Sequence, residues 1–353
     1  MKLKRITSAL LAAAMMMALS VPAFAAQEPA AEDAAPAQQT EEQPETPAEA
    51  PAETPETAEA AEPAQEQLTY VALGDSIVAG VGLKGLKYTS APIGLDLAEN
   101  FEGYPKKCYV ARIAKSLKLD RQHAIDLGLP GLMTKDMVDM VRDGAMPQMN
   151  QASGSYYVYP QYQEYLRNAD IISIQIGSND ALVPCIVALG EATNWKSEQL
   201  ANTVITGMLR DPSIESLQLL FGGLSKMKLT KEESAATRQL LNHGMKTICD
   251  EAYVTVTTNL PQVIAEIRKL NPDAEILLVG YTNPVPLLSC WTNYFRSLNT
   301  FAKDLAAQQE NVTYVSIPLT MTAADGHPTI CGHRYIANRL LSAIKKINKE
   351  KHS

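Results

Sequence analysis

The chain has 353 residues, more than one hydrophobic core usually organises, and 46% of them are apolar, so it can bury a sizeable core in two domains or in one large domain with appendages. The formal net charge of −8 arises in residues 27–67, which contain eleven Glu, one Asp and no Lys or Arg. From residue 68 onward there are 28 basic and 27 acidic residues. Charge alone therefore predicts no polyanionic partner, nucleic acid included, for the main body.

The first segment has the pattern of a secretory signal peptide. Basic residues near the amino terminus precede an apolar run from Ala9 to Leu19, and the small residues Ala23 and Ala25 are spaced as a cleavage site requires. The alternative, a membrane anchor, is less favoured because the run is shorter than the ~20 residues that span a bilayer. No later segment is long and apolar enough to span one. We predict a signal peptide over 1–25 and secretion, by bacterial export, to the extracellular space.

Residues 26–67 are predicted to form a disordered acidic linker rich in Ala, Glu, Pro and Thr. From residue 27 the tract has seven Pro, no Gly, no aromatic residue and no aliphatic residue larger than Ala. Such a segment cannot bury enough surface to offset the entropy of ordering, and like charges keep it extended. It is either a spacer that allows loose cell-wall association or a solubilising tail without a partner.

Short apolar runs alternate with helical patterns from Leu68 onward. Strands are predicted at Leu68–Leu73, Asp170–Ile176, Glu275–Val279 and Val312–Ile317, and helices at Pro105–Leu119 and Leu260–Leu270. This alternation predicts a three-layer α/β/α sandwich with a central parallel sheet. Residues 181–253 are largely helical in pattern and longer than a simple connection, so we expect a helical insertion there. Six of its apolar residues either line an acyl pocket or pack in the core: Leu182, Val183, Ile186, Leu219, Leu220 and Phe221.

Polar clusters follow the predicted strands at the edge where open parallel sheets bind ligands. Ser76 follows the first strand, and it is either an exposed nucleophile on a tight turn or a helix cap. Asn179 follows a later strand, where its carboxamide can donate to an oxyanion. Near the carboxyl terminus, Asp325 stands two residues before His327. A serine, a histidine, an acid and N–H donors are the groups that acyl transfer requires.

The order of these clusters resembles the GDSL esterases and lipases, also called the SGNH hydrolase superfamily, from about Leu68 to Ile347. The matching blocks are Gly74-Asp75-Ser76-Ile77, Asp126-Leu127-Gly128-Leu129-Pro130-Gly131, Gly177-Ser178-Asn179-Asp180, and His327-Pro328 followed by Gly332-His333 and Ile336-Ala337. The resemblance implies a flavodoxin-like SGNH hydrolase fold for 68–353. It also implies Ser76 as the nucleophile, His327 as the general base, and an oxyanion hole formed by the amides of Ser76 and Gly131 and the side chain of Asn179.

The sequence departs from the family pattern in two places that bear on the site. Asp126 stands where family members often have Asn. The family's acid usually lies three residues before the histidine, and that position is Ala324. Either Asp325 orients the imidazole of His327 or a backbone carbonyl does so. We favour Asp325, because the ring needs an orienting acceptor.

Cysteine and histidine spacing gives no metal motif. The cysteines are Cys108, Cys185, Cys249, Cys290 and Cys331. Because the number is odd, at least one is unpaired within the chain, and either a disulfide braces the rim of the site or all are free thiols. His333 is interpreted as a packing or capping residue. No spacing suits zinc or calcium, so we predict no metal and no cofactor.

Two classes of function remain open at this point. The favoured one is a secreted serine hydrolase that cleaves carboxylic esters of lipids, acylated glycans or small molecules. The alternative is a catalytically weak or inactive module that binds cell-wall or glycan polymer. In that case the tyrosines between Tyr156 and Tyr165 stack on sugars, although packing is the commoner role for such residues.

Overall fold

The computed structural model describes residues 67–86, 88–89, 94–95, 97–147, 156–196, 224, 227–283, 288–318, 320–323 and 326–351. The predicted signal peptide and the predicted linker up to residue 66 lie outside these ranges, as do Leu219, Leu220, Phe221, Ala324 and Asp325. Among the described helices, none has the length and apolarity that crossing a membrane requires.

Strands and helices alternate through the described ranges. The strands there are β1 (Tyr70–Gly74), β2 (Tyr88–Thr89), β3 (Gly94–Leu95), β4 (Ala124–Gly128), β5 (Ala145–Pro147), β6 (Tyr156–Val158), β7 (Ile171–Gln175), β8 (Glu275–Val279) and β9 (Val312–Val315). The helices there are α1 (Ser76–Ala79), α2 (Leu97–Gly103), α3 (Tyr109–Leu117), α4 (Thr134–Asp143), α5 (Gln161–Arg167), α6 (Ser178–Ala192), α7 (Lys231–Gln239), α8 (Met245–Leu270), α9 (Ser289–Ala307) and α10 (Ile330–Lys351). A π-helical turn, Leu240–Gly244, joins α7 to α8.

Two predicted helix starts were wrong. The helix expected from Pro105 begins at Tyr109, because the Sγ atom of Cys108 accepts the Ala111 N–H and caps the first turn. The helix expected from Leu260 begins at Met245 and continues through Pro261. Its buried positions include Met245, Cys249, Ala252, Val256 and Leu260, which recur at helical spacing and bury one continuous stripe.

The central sheet is parallel throughout, with the spatial order β4-β1-β7-β8-β9. Counted along the chain within this sheet, that order is 2-1-3-4-5, the flavodoxin-like arrangement. The predicted fold class is confirmed. In this arrangement the chain moves outward from β1 in both directions, so a crevice for a ligand lies at the carboxyl ends of β1 and β7.

Both faces of the sheet are covered, as strands buried on both sides require. Alternate residues of β1 enter different cores, since side chains along a strand point to opposite faces. Tyr70 and Ala72 pack with α3 and α10, whereas Val71 and Leu73 pack on the side of α4 and α8. A further apolar cluster joins α6, α8 and α9 near the carboxyl edge of the sheet. This cluster supplies one wall of the site described below.

Strands β1, β4 and β7 end at one level because Gly74 is in register with both Gly128 and Gln175. Gly128 also lies against α1: a Cβ atom there would come 2.2 Å from the backbone nitrogen of Ala79. Only glycine allows the end of β4 and the helix that carries Ser76 to approach this closely.

The Gly128→Ala variant tests this close contact. The added Cβ must displace the backbone of α1, so the free energy of unfolding is expected to fall by about 1–3 kcal/mol. Urea denaturation of the full chain measures this change. Gly103→Ala is the matched control, because a Cβ at Gly103 meets nothing within 4 Å. An equal urea midpoint for both variants would contradict the contact.

Candidate active site

Ser76 is the first residue of α1, directly after the turn that ends β1. The turn is held by Asp75, whose carboxylate accepts the Ile77 N–H at 2.9 Å. The helix stops after one turn at Gly80, which has a φ of 76°. Since the first N–H groups of a helix have no acceptor within it, the Ser76 amide can donate to a ligand.

His327 lies beside Ser76, although 251 residues separate them in sequence. The His327 Nε2 and Ser76 Oγ atoms are 2.9 Å apart, and both side chains are buried. The loop is fixed by its own backbone bonds. The Ala323 N–H donates to the His327 carbonyl at 2.8 Å, and Thr329 N–H donates to the Met321 carbonyl. The imidazole is thus held at hydrogen-bond distance from the hydroxyl, the geometry that deprotonation of a serine needs.

The acid predicted to orient this ring, Asp325, lies outside the described residues. Asp75 is a different carboxyl group near the ring. Burial raises the pKa of Asp75 to about 6, opposed by its bond from Ile77 N–H and by the field of His327. Its bond from the Ile77 N–H assigns it to the turn that presents Ser76.

Asn179 lies at the start of α6, which follows β7. Its Nδ2 atom donates one hydrogen to the Leu132 carbonyl at 3.0 Å, which leaves a second amide hydrogen for a ligand. Gly131, next to Leu132 in the chain, has a φ of 80°. The bond between Asn179 and Leu132 therefore ties two of the predicted oxyanion donors to one another. Gly131 is not among the described residues that line the cavity around Ser76.

A buried carboxyl group makes a second connection between the start of α6 and the part of the chain that follows Gly131. The carboxylate of Asp180 accepts both the N–H of Thr134, at 3.1 Å, and its hydroxyl, at 2.6 Å. Thr134 begins α4, whose own N-cap residue, Met133, makes no side-chain cap. Burial raises the pKa of Asp180 to about 7 against the lowering effect of these bonds. The sequence block identified Asp180 but did not reveal this capping contact between helices.

The turn between β7 and α6 is anchored by two tyrosines that the sequence analysis did not identify. The Tyr294 hydroxyl donates to the Gly177 carbonyl at 2.6 Å, and the Tyr281 hydroxyl donates to the Ile176 carbonyl. Both rings are buried in the cluster that joins α6, α8 and α9. They fix the backbone from which Asn179 projects.

A cavity of about 60 Å³ opens onto Ser76, Asn179 and His327. Leu182, Trp291 and Phe295 form apolar parts of its wall. Of these, only Leu182 was expected from the sequence, and its neighbours Val183 and Ile186 are buried in the core. Trp291 and Phe295 were missed because apolar residues at helical spacing have the same pattern whether they face a core or a ligand.

His333 and two of the tyrosines named in the sequence analysis make packing or hydrogen-bond contacts within the fold. His333 is buried against the ring of Tyr109, and burial lowers the pKa of His333 to about 3, consistent with packing. Tyr162 is buried, and the Tyr165 hydroxyl donates to Glu102. The side chains of Tyr156 and Tyr157 lie outside the described residues.

All five cysteines are free thiols. Among described side chains, no group of three or more His, Cys, Asp or Glu could hold a metal.

Asp126 lies in β4 at the position where the resembling sequences often have Asn. Its Oδ1 atom accepts the Gly128 N–H at 3.0 Å, and its Oδ2 atom is 4.0 Å from Cys108 Sγ. Burial raises the pKa of Asp126 well above its ordinary range. A neutral Asp126 resembles the amide in shape and retains the bond to Gly128, so the carboxyl group is compatible with this position when protonated.

The Asp126→Asn variant tests whether the ionised form of the buried Asp126 carboxyl group destabilises the fold. Because the folded-state pKa of Asp126 is raised, the folded chain binds more protons than the unfolded chain, and the free energy of unfolding falls as pH rises above about 4. In the variant no carboxyl group titrates at position 126, so this fall in stability is absent. The variant should therefore be more stable than the natural chain at pH 8, and the difference should disappear towards pH 4. Urea denaturation across this pH range measures the difference.

Asp304→Asn serves as the matched control because Asp304 is exposed on α9. Removing an exposed charge changes stability little, so this variant should not reproduce the gain in stability at pH 8. A pH-independent difference for Asp126→Asn would show that Asp126 is not buried as a neutral acid.

The sequence matches the model of the GDSL-like lipase/acylhydrolase family over residues 72–335. A comparison with curated proteins finds no match.

Similar solved structures include lipases and carbohydrate esterases. The lipase Lip_vut3 from a goat rumen metagenome is 15% identical, with 78% of this chain and 97% of that chain covered and a TM-score of 0.42. Phospholipase A1 from Streptomyces albidoflavus is 15% identical, with 78% and 99% covered and a TM-score of 0.38. A family two carbohydrate esterase from Clostridium thermocellum is 18% identical, with 82% and 67% covered and a TM-score of 0.41.

Proposed function

The chain belongs to the GDSL-like lipase/acylhydrolase family, and from this premise we propose that it is a serine hydrolase that cleaves carboxylic esters through an acyl-enzyme. The observation that carries the proposal is the 2.9 Å contact between Ser76 Oγ and His327 Nε2. This contact lies in a cavity that Asn179 also lines. A nucleophile, a base and an oxyanion donor thus face one volume.

In the first step, His327 Nε2 takes the proton of Ser76 as Oγ attacks the ester carbonyl carbon. The developing oxyanion is stabilised by the Ser76 amide and the second hydrogen of Asn179, and Gly131 is proposed as a third donor. The bond from the carbonyl carbon to the alcohol oxygen then breaks, and His327 returns its proton to that oxygen. The alcohol leaves, and the acyl group remains on Ser76.

In the second step, water attacks the acyl-enzyme and His327 takes its proton. The bond to Ser76 Oγ breaks, the proton returns to Ser76, and the carboxylic acid is released. In both steps the imidazolium needs an acceptor on its other nitrogen. We assign that role to Asp325, with a backbone carbonyl as the alternative.

The amino-terminal pattern supports export of this hydrolase. The basic start, the apolar run Ala9–Leu19 and the small residues at Ala23 and Ala25 favour cleavage near Ala25 and release outside the cell. The acidic tract over 26–67 is then a linker to the hydrolase domain, available for loose cell-wall association. The substrate is proposed to be an ester of a small molecule, lipid or acylated glycan, with no nucleic-acid partner.

The Ser76→Ala variant tests the proposed reaction. Without Oγ no acyl-enzyme forms, so kcat/KM for p-nitrophenyl acetate should fall by at least about 10³. Asn179→Ala should lose about 10² to 10³, because one oxyanion donor is removed. A fluorophosphonate should label the natural chain and not Ser76→Ala, as read by mass spectrometry.

Ser342→Ala is the control, since Ser342 is exposed on α10, and it should match the natural chain in both assays. If Ser76→Ala hydrolysed the ester at the natural rate, the assignment of the nucleophile would be wrong. A natural chain that is neither active nor labelled would favour the binding module.

The small cavity predicts a short acyl group. About 60 Å³ accommodates only a few atoms, far below the roughly 300–1,000 Å³ of ordinary ligand pockets. We expect kcat/KM for p-nitrophenyl acetate to exceed that for the octanoate at least about tenfold. Leu182→Ala enlarges the cavity and should shift the ratio of butyrate to acetate hydrolysis several-fold towards butyrate.

Leu341→Ala is the matched control for Leu182→Ala. Leu341 is partly buried against the core between the sheet and α10, outside the cavity, so its butyrate-to-acetate ratio should equal that of the natural chain. Equal rates from acetate to octanoate in the natural chain would contradict a size limit set by this wall.

A further inference from the structure

A second and larger cavity, which we call the basic cleft, adjoins the site on the side of His327. Its volume is about 960 Å³, and its lining includes Lys84, Lys106, Lys107 and Arg121. No Asp or Glu is among the described residues that line it. His327 and Pro328 border both this cleft and the small cavity around Ser76.

The cationic side chains of the basic cleft lack an ion-pair partner within the part of the chain that the structure describes. Lys84 follows α1, whereas Lys106 and Lys107 lie in the turn before α3, and all three are exposed. Among the described residues, none of the three forms an ion pair. A concave surface with charges of one sign concentrates ligands of the opposite sign.

Arg121 adds a fixed cation to this wall. Its Nη1 atom donates to the carbonyls of Glu102 and Tyr104, and its guanidinium lies 3.8 Å from the centre of the Tyr104 ring. Within the described part of the chain, these bonds use a single nitrogen of the group. The N–H groups that make none of these contacts can donate to an anion, and a planar guanidinium suits a carboxylate or a phosphate.

The chemistry of the site decides which half of an ester each cavity receives. The carbonyl carbon and its oxyanion must lie at Ser76 and Asn179, which line the small cavity. The leaving oxygen must lie at His327, which supplies its proton. The basic cleft borders His327 but neither Ser76 nor Asn179, so it is placed on the side of the departing alcohol.

We propose that the basic cleft binds the alcohol half of the ester and that this alcohol carries an anionic group, a carboxylate or a phosphate, which Lys84, Lys106, Lys107 and Arg121 hold. The inference rests on the proposed ester hydrolysis. Combined with the small acyl cavity, it defines the substrate as a short-chain acyl ester of an anionic alcohol. The nearly even charge of residues 68–353 conceals this local excess of cations.

The test compares three acetate esters that differ in the charge of the alcohol: meta-acetoxybenzoate, meta-acetoxyphenyl phosphate and the neutral meta-acetoxybenzamide. Rates are divided by those of hydroxide-catalysed hydrolysis to remove differences in intrinsic reactivity. For the natural full chain, kcat/KM of an anionic ester should exceed that of the amide about tenfold, and the ratio should fall with rising salt. The carboxylate and phosphate arms show which anion the cleft prefers.

The variant with Lys84, Lys106 and Lys107 all changed to Gln should lose most of this ratio. Its matched control changes Lys303, Lys345 and Lys349 to Gln, which alters net charge equally at exposed positions on α9 and α10. The control should retain the natural ratio. A natural chain without anionic preference, or equal ratios in both triple variants, would overturn the proposed subsite while leaving ester hydrolysis intact.

Binding of meta-acetoxybenzoate to full-length Ser76→Ala, measured by calorimetry, separates the subsite from catalysis. The three cleft substitutions should weaken this binding about tenfold, and the three control substitutions should not. If the natural chain hydrolysed none of the esters, the proposed function would fail, and this measurement would still decide whether the cleft binds anions. Unchanged binding in the cleft variant would overturn the inference independently of activity.

Discussion

The site depends on the close contact between strand ends and the single helical turn that carries Ser76. A Cβ at Gly74 would lie 2.3 Å from the carbonyl oxygen of Gln175, and one at Gly128 would meet the backbone of Ala79. The first contact fixes the end of β1 against β7, and the second fixes α1 against the end of β4. Because the serine, the loop through Gly131 and the helix of Asn179 leave these three strands at one level, a shift of any strand end would separate the groups that we propose act on one carbonyl.

Three buried carboxyl groups hold the backbone near the carboxyl ends of β1, β4 and β7. Asp75 accepts the Ile77 N–H, Asp126 the Gly128 N–H, and Asp180 the Thr134 N–H. Such bonds favour the ionised form, whereas burial favours the neutral form, and burial prevails because each pKa is raised. The bonds that shape the turns are thus strongest in the charge state that is most costly to bury. The site is consequently coupled to pH through these three supporting carboxyl groups.

The sequence predicted those parts of the fold and site that depend on local patterns. The parallel α/β/α architecture follows from apolar runs that alternate with helical patterns. Ser76 and Asn179 belong to short motifs at predicted strand ends, and His327 belongs to a short motif near the carboxyl terminus. Trp291 and Phe295 were not predictable, since an apolar stripe does not reveal whether it faces a core or a cavity. The start of α3 was missed because a cysteine is an unusual cap. The contact of Asp180 with Thr134 joins two helix starts whose proximity only the sheet order determines.

The distribution of charge over the surface is a further property that the sequence alone does not reveal. The whole chain is acidic and residues 68–353 are nearly balanced, yet neither value describes the surface that meets a ligand beside His327. Lys84 lies far from Arg121 in sequence, and the fold brings both to one cleft. Electrostatic attraction between exposed charges extends only about 8–10 Å at physiological salt, so the charges within the cleft, rather than the average over the chain, act on a bound alcohol. The charge of the proposed alcohol therefore has to be inferred from the lining of the basic cleft, which includes Lys84, Lys106, Lys107 and Arg121.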